Sequence, residues 1–110
     1  MTVILVRVGV RKRNRNEFLK IMQEASKKIK KEYGCERFEV HRDFENDTIF
    51  SFYGIWKTPG DFKRYLKSDQ FAMAILALKL SRKNPEIYYF KDKLTVGLAG
   101  LLQLRETLKI

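Results

Sequence analysis

Few residues of this sequence combine the type and the placement that chemistry requires. The stretch "GIWKTPGDF", Gly54 to Phe62, carries the only Trp, Trp56, at the junction of a strand-like and a helix-like segment. An indole at such a junction either fills a core or lines a site. Arg7 shares the parity of Val3 and Leu5 in a β-branched run. Beside an apolar cleft its guanidinium can stabilise a phenolate or enolate; otherwise it snorkels to the sheet rim or pairs with a carboxylate such as Asp69. His41 alternates onto a polar strand face with Glu39 and Asp43, which reads as a surface or dimer contact rather than a base. Cys35, just after Gly34, reads as a small buried filler rather than a reactive thiol. Tyr88 and Tyr89 point to opposite faces of a last strand, so one of them reaches the interior, without a visible acid or base partner.

The scarcity of such groups excludes whole classes of function. One Cys and one His leave no disulfide framework, no CxxC and no zinc cluster, so no metal or cofactor is expected and a reducing, cytoplasmic setting fits. "MTVILVRVGV" is too short and too alternating for a signal peptide, and "FAMAILALKL" too short to span a membrane. The net charge of +10 gathers in "RKRNR" and "KKIKK" at the two edges of the first helix. Ile29 keeps core spacing among those lysines, the signature of a solvated helix face. With no RNP, KH, helix-turn-helix or zinc-finger pattern, no specific nucleic-acid partner is expected, only weak contact with polyanions.

The elements that must position these residues follow from periodicity. At 110 residues, 45% hydrophobic and 33% charged, the chain has the makings of one folded domain. Residues 2 to 10 read as a strand apolar on both faces. Asn14 or Asn16 can cap a helix carrying Phe18, Ile21, Met22, Ala25 and Ile29 on one side, with Gly34 as its αL stop. "RFEVHRDF", "ENDT" and "IFSFYGIW" form a β-hairpin. Thr58 and Pro59 start a short helix through Leu66, and Ser68 caps a second with Phe71, Ala74, Ile75 and Leu78 on one face. "KNPE" ends it, and "IYYFK" is a last strand. The order β-α-β-β-α-α-β is the α+β, ferredoxin-like pattern, an antiparallel sheet with strands one and three in the middle and helices on one face.

That pattern carries an inference about assembly. Val3 and Leu5 are assigned with Phe50, Phe52 and Trp56 to one face of the central strands, and Ile4, Val6 and Val8 with Ile49, Tyr53 and Ile55 to the other. Helices cover only one, and a bare apolar face of that size demands a partner. A second copy is expected, with Val6, Val8, Tyr53 and Ile55 turned toward its own sheet.

The sequence also resembles a known family, the antibiotic biosynthesis monooxygenase (ABM) domain proteins, which form dimeric α/β barrels. The resemblance rests on "YGCERFEVHRD", the strand-ending "IW", Phe62 six residues on, and "SDQF" at 68 to 71, and it covers about residues 2 to 92. "WKTPGDFKRYLKSDQF" is similar to the corresponding stretch of the haem-degrading members. The resemblance implies a substrate cleft between helices and sheet with Trp56 projecting into it, and Arg7, Phe52, Phe71 and Ile75 as further substrate-binding candidates.

Its polar chemistry does not carry over. Haem-degrading members need an axial His 19 residues after the Trp, where this chain has Ile75, and an Asn on the first strand, whose counterpart is Arg7. Members that oxidise quinols or polyketide aromatics often carry Asn, Glu and His at places that here hold Phe52, Gly54 and Gln70. The resemblance therefore implies a homodimer binding an apolar or aromatic small molecule, with cofactor-independent monooxygenation as the associated reaction. A non-catalytic ligand-binding or structural dimer is the alternative, and haem binding, opposed by Ile75, a second. No catalytic residue is assigned. Residues 1–93 make up the family-like domain, and the leucine-rich extension 94–110 is expected to form a helix from about Leu98 to Leu108, docked on apolar surface.

Overall fold

In the computed structural model, which describes residues 1–91 and 97–108, a four-stranded antiparallel sheet carries its first three α-helices on one face. Strand β1 (Thr2–Gly9) leads through a 3₁₀ turn (Lys12–Asn14) into α1 (Arg15–Ile29). The hairpin β2 (Cys35–Arg42) and β3 (Ile49–Trp56) follows, then α2 (Pro59–Leu66), α3 (Asp69–Leu78), β4 (Glu86–Phe90) and α4 (Gly97–Leu108). The sheet order β2-β3-β1-β4 puts β1 and β3 in the centre, as the ferredoxin-like pattern requires. Among the described residues no helix is long and apolar enough to cross a membrane.

The caps of α2 and α3 form where expected, whereas Asn14, at the N-cap position of α1, makes no side-chain cap hydrogen bond among the described residues. The Thr58 hydroxyl accepts the Asp61 amide at 3.1 Å with Pro59 in the first turn, and the Ser68 hydroxyl accepts the Phe71 amide at 3.2 Å. These bonds satisfy amides that a helix start leaves unpaired. Asp43 and Asn46 side chains bond the backbone of the β2–β3 turn. Gly34 does adopt positive φ, +82°, but five residues beyond α1, just before β2.

The strand register corrects the assignment of faces. In the β1–β3 pair Thr2 lies opposite Trp56, Val6 opposite Phe52 and Val8 opposite Phe50. Directly opposed residues share a face. Ile4, Val6 and Val8 therefore lie with Phe50, Phe52 and Trp56 beneath the helices, and Val6, Val8, Phe50, Phe52 and Trp56 are buried there with Phe18, Met22, Ala25 and Ile29 of α1. Val6 and Val8 are not on the outer face. That face carries Val3, Leu5, Tyr53 and Ile55, flanked on β4 by Tyr88 and Phe90.

Within the extension, α4 spans Gly97–Leu108 and contains no buried residue. The remainder of the expected segment, 94–96 and 109–110, lies outside the described residues.

Candidate functional site

A cavity of about 460 Å³ opens between α2, α3 and the helix-facing side of β1, β3 and β4. Its sheet wall is Ile4, Val6, Phe52, Ile87 and Tyr89. Its helix wall is Phe62, Tyr65 and Leu66 on α2 and Phe71, Ile75 and Leu78 on α3, with Lys63 the one charged residue on the lining among the described residues. Side chains three and four apart on a helix lie on one face, so Phe62, Tyr65 and Leu66 reach the cavity together.

Aromatic contacts hold this wall. The Phe62 ring stacks on Tyr89 with centroids 5.3 Å apart, joining α2 to the edge strand. Tyr65 meets Phe71 edge-on at 5.5 Å, joining α2 to α3. Such geometries add about 0.5–1.5 kcal/mol each beyond the area they bury. Burial pushes the Tyr65 hydroxyl well above its ordinary value, with the neighbouring Cys35 and Glu32 adding smaller contributions in the same direction, so it stays neutral.

The start of α2 is anchored from below. Asp61 is buried and its carboxylate accepts from Arg64 at 3.0 Å. The carboxylate rests directly over Gly34, where any Cβ would collide with Asp61. The Lys57 amide donates to the Gly34 carbonyl at 2.8 Å. Gly34 thus serves twice, for its positive φ and for this close approach, and the two contacts set the position of the helix that bears Phe62 and Tyr65.

Of the five residues expected to bind substrate, the cavity brings together Phe52, Phe71 and Ile75. Trp56 is fully buried and lies behind the wall, its ring stacked on Tyr65 at 4.7 Å and tilted against Phe62 at 6.3 Å. It supports the cleft without lining it. Arg7 lies on the opposite side of the sheet, exposed, where it reaches Glu86 across the β1–β4 pair at 4.0 Å. The parity shared with Val3 and Leu5 is real, but it leads away from the cleft, and the carboxylate met there is Glu86 rather than Asp69.

The other candidates lie outside the cavity, Tyr89 excepted. His41 stands on the outer face, 2.9 Å from Glu39 Oε1 and stacked on Tyr53. Cys35 is half-buried, and its thiol is pushed up mainly by that burial, so it is protonated and unreactive at neutral pH. Tyr89, not Tyr88, reaches the cavity. Sequence reading missed Lys63, Tyr65, Leu66 and Ile87; the spacing of Phe62, Tyr65 and Leu66 was the available signal for the α2 wall. A second hollow of about 470 Å³ between α1 and β2 is lined by Lys27 and Lys30 with Gln23, Ser26 and apolar residues, and includes none of the expected site residues. Among the described residues no group of three or more His, Cys, Asp or Glu could hold a metal ion.

A haem would find no partner in the cleft of the kind the haem-degrading members use. Ile75, where the resemblance implies the axial His, lines the cavity, and among the described residues no His, Cys or Met does.

The family model for antibiotic biosynthesis monooxygenase matches residues 1–75. A conserved protein from Methanosarcina mazei Go1 superposes with a TM-score of 0.78 at 24% identity, over 84% of this chain and 92% of that one. SnoaB, a cofactor-independent oxygenase from Streptomyces nogalater, superposes at 0.73 with 19% identity, over 86% and 95%. Rv0793 from Mycobacterium tuberculosis superposes at 0.78 with 8% identity, over 87% and 98%. No curated protein matches the sequence. At these identities the structural likeness speaks for the fold, and the family model, which spans β1 through most of α3, decides membership: the chain belongs to the antibiotic biosynthesis monooxygenase family.

Proposed function

We propose that this protein is a homodimer that binds an apolar or aromatic small molecule in the cleft between α2, α3 and the sheet. The observation that carries the reading is the lining itself. Apart from Lys63 and the hydroxyls of Tyr65 and Tyr89, it presents aliphatic and aromatic surface. Burial of ligand surface, at about 25 cal/mol per Å², is then the main source of affinity. A titration followed by the emission of Trp56, which stacks on the cavity residue Tyr65, tests it. Saturable quenching or a spectral shift with small aromatic or aliphatic ligands supports the reading, and no response to any of them, confirmed by calorimetry, ends it.

The second copy is argued from the outer sheet face. Val3, Leu5, Tyr53 and Ile55 are half-buried there, while Tyr88 and Phe90 are 47% and 48% exposed. An apolar surface of this extent is the mark of an interaction site. Leu5→Asp is expected to give monomer or aggregate where light scattering finds a dimer for the wild type, and a wild-type monomer at micromolar concentration sinks the idea.

Cofactor-independent monooxygenation is the second reading, favoured by family membership and by the description of SnoaB. Without a cofactor the substrate must supply the electrons to O₂ and do so as an anion. Lys63 is the cation on the lining that can stabilise one. Ligand-dependent oxygen consumption, lowered by Lys63→Gln, supports this reading over simple binding.

A further inference from the structure

We infer that the ligand of this cleft is an anionic amphiphile, an apolar body seated in the cavity with a single carboxylate held at its mouth by the Lys63 ammonium. The inference rests on the reading of the cleft as the binding site and adds the polarity of what it binds.

Three observations converge. Among the described residues Lys63 is the only charged side chain on the lining, and no carboxylate accompanies it there. Its sequence neighbours do not neutralise it: the Asp61 carboxylate, two residues earlier, is buried and committed to Arg64 at 3.0 Å. No ion pair involving Lys63 occurs among the described residues.

Lys63 is exposed, and part of the apolar lining it shares is open to water. Leu66, Ile87 and Tyr89 line the same cavity and are 40%, 55% and 44% exposed. A ligand tail running inward from this open part removes that surface from water, and its head group emerges beside an exposed cation.

The charge must sit at the rim. An anion carried into an aliphatic and aromatic interior loses its hydration without compensation. At the mouth the flexible lysine stem lies along apolar surface while its ammonium stays solvated and free to pair. One lysine matches one negative charge, which fits a carboxylate better than a doubly charged phosphate monoester. The net charge of +10 adds a long-range attraction for anions and none for cationic amphiphiles.

The test compares three probes that share one tail and differ in the head group: dodecanoate, dodecan-1-ol and dodecylammonium. Each is titrated into the full chain below its own aggregation threshold, with Trp56 emission and calorimetry as readouts. Dodecanoate is expected to bind about tenfold more tightly than the alcohol, as one charge-assisted contact provides, and dodecylammonium most weakly. Lengthening the carboxylate tail is expected to raise affinity about fourfold per methylene until the cavity is full. Lys63→Gln should abolish the preference for dodecanoate while leaving the alcohol within about twofold, and Lys67→Gln, on a lysine outside the lining, should preserve it.

Equal binding of acid and alcohol by the wild type overturns the inference and leaves the binding site standing. So does a tenfold preference that survives Lys63→Gln. Absence of binding by all three probes, or binding unchanged in the cavity-filling variant Ile75→Trp, overturns the reading of the cleft and the inference with it.

Discussion

Trp56 and Tyr65 stack with ring centroids 4.7 Å apart and planes 21° from parallel, so that the indole at the end of β3 backs the α2 wall of the cleft. Among the described residues the buried indole nitrogen has no hydrogen-bond partner, and neither has the hydroxyl of Thr2, its opposite on β1. Gly54 leaves room for this arrangement, since a Cβ there would lie 3.2 Å from both Trp56 Nε1 and Phe38.

Truncation of the supporting ring is therefore expected to act on stability and on the cleft together. Tyr65→Ala should cost about 3–5 kcal/mol, shift Trp56 emission to the red and weaken binding of apolar ligands. Denaturant unfolding and fluorescence on the same samples check it. A loss below about 1 kcal/mol, with unchanged emission, would show that the stack carries little.

Haem should not bind tightly, because Ile75, at the position where the sequence resemblance implies an axial His, presents an apolar side chain to the cavity. Titration of hemin into the wild type is expected to give no sharp Soret band. Ile75→His should introduce one if the cleft admits a porphyrin. Stoichiometric uptake by the wild type, lost on mutation of some other residue, would relocate the ligand.

The outer face supplies a pH-dependent element. The Tyr53 hydroxyl donates to Glu39 at 2.9 Å, and His41 lies at the same distance from the same oxygen. These hydrogen bonds, Tyr53's foremost, hold the Glu39 carboxyl below the ordinary carboxylate range. A carboxyl depressed in the folded state stabilises the fold above its unfolded value, and that contribution fades as pH falls through the folded value. Tyr53→Phe is expected to move the Glu39 titration upward and to cost stability at neutral pH but not in strong acid. Carboxyl-carbon NMR of the two proteins decides it, and coincident titration curves would remove the hydrogen bond from the account.

A chain ending at Lys93 tests the extension. In α4 the residues Leu98, Leu101, Leu102 and Leu108 are 71%, 60%, 43% and 57% exposed, an amount of apolar surface that favours docking across a partner subunit or over the cleft mouth. Removal should lower the melting temperature and increase susceptibility to protease. A truncated protein that melts and resists proteolysis like the full chain would mean that α4 stabilises nothing.

The sequence by itself determined the elements, their order, and the caps at Thr58 and Ser68, because periodicity and capping act within a few residues of one another. Three of the cavity residues, Phe52, Phe71 and Ile75, were legible through the family resemblance. The pairing of faces was not. Alternation assigns each strand two faces, but which face of β1 meets which face of β3 depends on register, and a one-residue shift exchanges them. Only the tertiary structure, setting Thr2 opposite Trp56, put Val6 and Val8 under the helices and sent Arg7 to the far side of the sheet. The same holds for the mouth of the cleft. Lys63 on α2 and Tyr89 on β4 are 26 residues apart in the chain, and no local rule links them; the packing of α2 across the sheet edge, fastened by the Phe62–Tyr89 stack, brings an exposed cation to the rim of an apolar cavity.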